Sequence, residues 1–178
     1  MTRTAIQASI EPVAEADLPV IRSLAERIWR VSYPGMISMG QIEYMLGWMY
    51  SINRLREDLR TGVVFEWARF EGAPVGYLAT QVESVSAVLH LHKLYVLPEF
   101  QGRGIGSRLI DHALRTAEST GCRTVRLNVN KGNSRAIACY RRHGFMQEAS
   151  VVNDIGGGFV MDDYVMVRPI QRPGGARI

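Results

Sequence analysis

At 178 residues the chain is long enough to bury a substantial core and is read as one domain over 1–170, with 171–178 as a flexible tail. Hydrophobic residues at 47% and charged residues at 21% are ordinary for a folded soluble protein, and no apolar run approaches membrane-spanning length. The net charge of +4 comes from nineteen arginines and two lysines, Lys93 and Lys131, yet the arginines are scattered and form no basic helix face interleaved with aromatics, which argues against a nucleic-acid partner.

The N-terminal Met1-Thr2-Arg3-Thr4 has no signal-peptide core behind it, so the cytoplasm is expected. Ile6 to Val13 reads as a first strand. Asp17 can cap a helix whose buried stripe is Leu18, Ile21, Leu24, Ile28 and Trp29, with Pro19 tolerated in the first turn. Tyr33-Pro34-Gly35 ends it. Ser38 and Gln41 form a capping-box pattern ahead of a second helix carrying Ile42, Met45, Leu46 and Met49. Val63 to Phe70 and Val75 to Glu83 read as a hairpin across Glu71-Gly72-Ala73-Pro74, and Val88 to Leu97 as the next antiparallel strand.

Gln101-Gly102-Arg103-Gly104-Ile105-Gly106 follows that strand and opens a helix whose stripe is Ile105, Leu109, Ala113 and Ala117, closed by Gly121. Glycines at a strand-to-helix junction suit a phosphate or pyrophosphate, because the first helical N–H groups lack partners and the helix dipole is positive there. The turn is not a P-loop, since no lysine follows it. The dinucleotide fingerprint is a near miss, with Gly102 and Gly104 in place but Ser107 at the sixth position. Thr124 to Val129 returns as a strand, so the strand, helix and strand form a parallel crossover. A short helix from Asn133 follows, and strands at Phe145 to Val152 and Phe159 to Val167 are joined through Asp154 to Gly158. Cys122 and Cys139 have no metal-ligand spacing and read as reduced buried thiols; no metal is expected.

The pattern Gln101-x-x-Gly104-x-Gly106 resembles the acetyl-CoA pyrophosphate loop of the GNAT superfamily of N-acetyltransferases. The resemblance continues through Leu127-Asn128-Val129-Asn130, like that family's next strand. It ends with Asn133-x-x-Ala136-x-x-x-Tyr140-x-x-x-Gly144-Phe145, like its following helix. It covers Val88 to Phe145. It implies an α/β (α+β) fold with a mixed, mostly antiparallel sheet of about seven strands flanked by about four helices. It also implies an enzyme that moves an acetyl group from acetyl-CoA to a primary amine by direct attack.

Cofactor contacts implied by the resemblance are Gln101, Gly102, Arg103, Gly104, Ile105 and Gly106 through their backbone and Ser107 through its hydroxyl. Leu94, Tyr95 and Val96 would offer backbone groups to pantetheine across a splay from Asn128, and Asn133 would bond the CoA arm. Tyr140 stands where the family's tyrosine points at the CoA sulfur; a phenol with a pKa of about 10 remains a donor at neutral pH. The amine, itself with a pKa near about 10.4, must lose a proton. His90 lies where some members carry a glutamate, and His92 shares its face, so His90, His92 or a water relay that includes Glu83 could receive it. For the acceptor, Tyr33 and Tyr44 on the first helical segment and Asp162 and Tyr164 on the last strand are the substrate candidates, a carboxylate with aromatics suiting a cation. The acidic pair Asp162-Asp163 loosely resembles polyamine and diamine acetyltransferases, so the expected acceptor is a small amine such as a polyamine. A protein N-terminus as acceptor and a non-catalytic acyl-CoA-binding module are the alternatives, and a homodimer is left open.

Overall fold

The computed structural model describes residues 7–170, so the tail at 171–178 and Ile6 lie outside the described residues. Seven strands form one sheet in the order β1-β2-β3-β4-β5-β7-β6. The strands are β1 (Ser9–Pro12), β2 (Val64–Phe70), β3 (Ala73–Glu83), β4 (Val88–Val96), β5 (Thr124–Asn130), β6 (Met146–Gly156) and β7 (Phe159–Pro169). Every neighbouring pair is antiparallel except β4 and β5, which run parallel because α4 (Ile105–Ser119) crosses between them. The sheet is thus mixed and mostly antiparallel, as the sequence leads one to expect.

Alternation along the strands sends side chains to two separate cores. Leu78, Leu89, Leu91 and Leu127 pack with Leu109 and Ile110 of α4 and with Ile137 of α5 (Ser134–Arg142). Phe65, Trp67 and Tyr77 pack instead with α1 (Leu18–Ser32), α2 (Met39–Met49) and α3 (Ile52–Arg60). Among the described residues no helix is long and apolar enough to cross a membrane.

Several local expectations are revised. Helix α3 was not foreseen, because its apolar residues are few and it is mostly charged; Ser51 caps it by accepting from the Arg54 N–H at 3.2 Å. Its buried Asp58 accepts from Lys93 Nζ of β4 at 3.1 Å and from Arg54 Nε at 2.8 Å. Asp17 does not cap α1, since a 3-10 turn at Glu15–Asp17 runs straight into it. Ser38 Oγ does accept from the Gln41 N–H at 3.1 Å, but the Gln41 side chain reaches away to donate to the Val160 carbonyl at 2.6 Å, tying α2 to β7. Both hairpin turns are tighter than expected. Glu71-Gly72 and Gly157-Gly158 form two-residue turns with positive φ at both positions, the twist that two-residue hairpins need. Cys122 is buried and Cys139 only half-buried; both are free thiols.

Two features of β4 open a gap in the sheet. It pairs with β5 only from Val88 to Leu91, against Thr124 to Leu127, while β5 stays bonded to β7 as far as Asn130. The register also slips at His92, where Leu91 faces Thr80 but Lys93 faces Ala79. Beyond that point β4 and β5 part, and the space between them lies at the N-terminal end of α4.

Candidate active site

The gap is the floor of a cleft of about 680 Å³. At one end stands the glycine turn. Gly102 and Gly104 have φ of 76° and 84°, so the chain can only make this turn cheaply with glycine, and Gly104 is the residue before the first turn of α4. No side chain caps the helix. A Cβ built on Gly104 or Gly106 would meet nothing within 4 Å, so the space over the unpartnered N–H groups is open to the cleft. Gln101, Gly102, Gly104, Gly106 and Ser107 line it, whereas the Ile105 side chain is in the core and Arg103 folds over the Phe100 ring at 5.6 Å. Gln101 Nε2 donates to the Val96 carbonyl at 2.9 Å and Gln101 Oε1 accepts from Arg135 Nη1 at 2.6 Å. Arg135 and Arg142 both line the cleft, and Arg135, bonded to Gln101, places positive charge at the turn; sequence reasoning missed them among the other scattered arginines.

In the middle of the cleft, Leu94, Tyr95 and Val96 face Asn128 and Val129 across the splay. Asn133 Oδ1 caps α5 by accepting from the Ala136 N–H at 3.1 Å, which leaves its Nδ2 for a ligand. Tyr140 projects from the buried side of α5. Among the described residues its hydroxyl makes no hydrogen bond to the protein, and burial, aided by the neighbouring Tyr33 and Cys139, pushes its pKa well above the usual phenol value. Tyr33 and Tyr95 meet hydroxyl to hydroxyl at 3.3 Å, both with raised pKa values, principally from burial. The structure therefore gathers Tyr33, Tyr95 and Tyr140 as neutral phenols.

The two histidines separate. His90 Nε2 lies 3.0 Å from Glu83 Oε1, and neither residue lines the cleft. His92 does line it, stacked at 5.6 Å on His90. Gln81 gives its Nε2 to the Thr61 carbonyl at 2.7 Å, so its Oε1, 3.0 Å from His92 Nε2, must accept, and His92 keeps its other nitrogen unprotonated. Burial, then Lys93 and His90, lowers the His92 pKa to about 4, so the ring is neutral at physiological pH.

The acceptor candidates fare unevenly. Tyr33 lines the cleft; Tyr44 does not, since its hydroxyl donates to the Ile155 carbonyl at 2.7 Å and its ring packs on Phe159. Alternation along β7 holds, but the face that looks into the cleft is that of Met161 and Asp163, not that of Asp162 and Tyr164. Asp162 is paired with Lys131, whose Nζ also lies over the Tyr164 ring at 5.7 Å. Asp163 is only 2% exposed. Burial, then the charge of Asp162, raises its pKa to about 6 against some relief from Lys131. The adjacent acidic pair in the sequence was the available signal; which of the two faced inward was not.

A carboxyl pKa raised from 3.8 to about 6 means that folding favours the protonated form. Its contribution is most favourable below about pH 4 and is lost as pH rises through about 6. Asp163→Asn is accordingly expected to raise the unfolding free energy at pH 7.5 by about 1–3 kcal/mol and to leave it nearly unchanged at pH 4, as read from urea titrations. Equal stability of the two proteins at pH 7.5 would show that the carboxylate is not strained there.

Similarity agrees with this geometry. The model of the Acetyltransferase (GNAT) family matches residues 23–145. An uncharacterized N-acetyltransferase of Mycobacterium tuberculosis is 30% identical over 157 residues, 86% of this chain and 98% of that one. The spermidine N(1)-acetyltransferase of Thermoplasma acidophilum is 25% identical over 158 residues, covering 86% and 94% respectively. Among solved structures, the PaiA N-acetyltransferase of Thermoplasma acidophilum in complex with coenzyme A superposes with a TM-score of 0.77 at 24% identity, over 92% of this chain and 99% of that one. The chain belongs to the Acetyltransferase (GNAT) family of acyl-CoA-dependent N-acetyltransferases.

Proposed function

We propose that this chain acetylates a small primary amine, with acetyl-CoA at the glycine-turn end of the cleft and the amine at the Asp163 end. The observation that carries the reading is the buried Asp163 carboxylate in the same cleft as the open glycine turn and the Tyr140 hydroxyl. The spermidine N(1)-acetyltransferase relative supports a small-amine acceptor.

The residues present fit acetyl-CoA. The uncapped first turn of α4, with Gly104 and Gly106 leaving space above it, would hold the pyrophosphate, and Arg135 and Arg142 would add charge. The unpaired end of β4 and Asn133 would hold the pantetheine arm. Bound there, acetyl-CoA supplies an acetyl thioester. The protein's own part is proton management and orientation. Asp163 pairs with the ammonium form of the amine and holds it at the end of the cleft. The proton lost before attack passes to Asp163 or to the unprotonated nitrogen of His92, directly or through water; His90 and Glu83 stand outside the cleft lining. Tyr140, kept protonated by burial, holds a proton where the thiol leaves.

The test is steady-state kinetics of Asp163→Asn. The KM for the amine is expected to rise about three- to thirtyfold, because the charge-assisted contact is lost. In the parent protein kcat/KM should climb with pH through about 6 as Asp163 ionises, and that limb should vanish in the variant. An unchanged KM together with an unchanged pH profile would remove Asp163 from the acceptor site. Turnover on peptides alone would make the acceptor a protein N-terminus.

A further inference from the structure

The charge census of the cleft says more about the acceptor than that it is an amine. Among the described residues that line it, Asp163 is the one carboxylate. An apolar wall stands among the other liners: Met36 and Ile37 follow α1, Met45 and Met49 come from α2, and Met161 comes from β7. The acids nearest in sequence are committed elsewhere. Asp162 pairs with Lys131, and Glu43 accepts from Arg30 at 3.1 Å; neither acid lines the cleft. The polar groups beside that wall are neutral. The Gln41 amide nitrogen is given to the Val160 carbonyl, and the Tyr33 hydroxyl lies against that of Tyr95. The other charged liners, Arg135 and Arg142, are positive and offer a second ammonium no counter-charge.

We infer that the acceptor is a monoamine, with its single ammonium group at Asp163 and an aliphatic or aromatic body against the methionine wall. The inference rests on the small-amine reading above and narrows it. A diamine or polyamine of similar length would bring in a second charge with no second carboxylate to pair with, which an apolar wall resists. Methionine side chains are flexible and polarizable, so this wall can close on bodies of differing shape, and the selection is by charge number more than by outline. The transfer balances without any further reactant. The C–N bond forms as the C–S bond breaks; the ammonium nitrogen gives up two protons in all, one to Asp163 or His92 before attack and one to the cleft water as the amide forms, while the departing sulfur takes one from Tyr140, which regains it from that water, so that one proton is released to solvent.

A matched pair tests this with the intact protein. Pentylamine and 1,4-diaminobutane have almost the same length and differ by a terminal methyl group in place of an ammonium. In a thiol-release assay with acetyl-CoA, kcat/KM for pentylamine is expected to exceed that for 1,4-diaminobutane by about tenfold or more, with 2-phenylethylamine similarly above spermidine. Met45→Glu, which adds a carboxylate to the apolar wall, should shrink the first ratio. Equal or better turnover of 1,4-diaminobutane and spermidine would overturn the single-charge reading and leave the small-amine reading standing. No turnover with any small amine would overturn both.

Discussion

Gly106→Val is expected to weaken acetyl-CoA binding by about 100-fold or more in a protein that remains folded. Gly106 sits in the first turn of α4 with ordinary negative φ, and a Cβ there would meet no protein atom within 4 Å, so the substitution costs the free protein little, valine being a better helix former than glycine. The space that the valine fills is the space above the uncapped N–H groups, where the pyrophosphate would approach the backbone. Gly104 is the poorer site for this experiment. Its φ of 84° makes any side chain strained, so lost binding in Gly104→Val would mix misfolding with obstruction. Calorimetry on Gly106→Val, with thermal unfolding as a control, separates the two. Undiminished affinity in a folded Gly106→Val protein would move the cofactor away from this turn.

Tyr140→Phe should lower kcat by about 10–1000-fold while leaving acetyl-CoA affinity nearly intact, since it removes a proton donor and little binding surface. The structure sharpens the expectation. The hydroxyl makes no hydrogen bond to the protein among the described residues, so its loss leaves no buried partner unsatisfied and should not destabilise the fold. The ring still packs in the core beside Phe145, at 5.6 Å between centroids, and phenylalanine preserves that contact. A drop in kcat at unchanged stability is therefore a statement about the hydroxyl. Equal turnover of the two proteins would reduce Tyr140 to a packing residue, and an inactive parent protein that still binds acetyl-CoA would favour a binding module.

Much of this arrangement is legible along the chain because it is local. The turn from Gln101 to Gly106 and the helix after it lie within one crossover, and Asn133 and Tyr140 sit on the next helix, so their spacing alone carries the pattern. Strand alternation likewise placed His90 and His92 on one face, where their rings stack. Helix α3 escaped because a short, charged segment has a weak apolar period, and its reason for being helical lies partly in Asp58 meeting Lys93 from β4.

The proposed acceptor half was decided by tertiary structure. Alternation shows that Asp162 and Asp163 point to opposite faces, but the side covered by α1 and α2 follows from β7 entering the sheet between β5 and β6. That topology turns Asp163 into the cleft and leaves Asp162 to Lys131. In the same way Tyr44 was drawn off to the Ile155 carbonyl of the β6–β7 hairpin, while His92 entered the cleft at a slip in register and His90 stayed with Glu83. A cofactor turn is written in one continuous stretch, because a single strand-to-helix junction builds it. The proposed acceptor pocket joins residues from α1, α2, β4 and β7, and its charge depends on which side chains pair with each other across those elements, which only the packed chain determines.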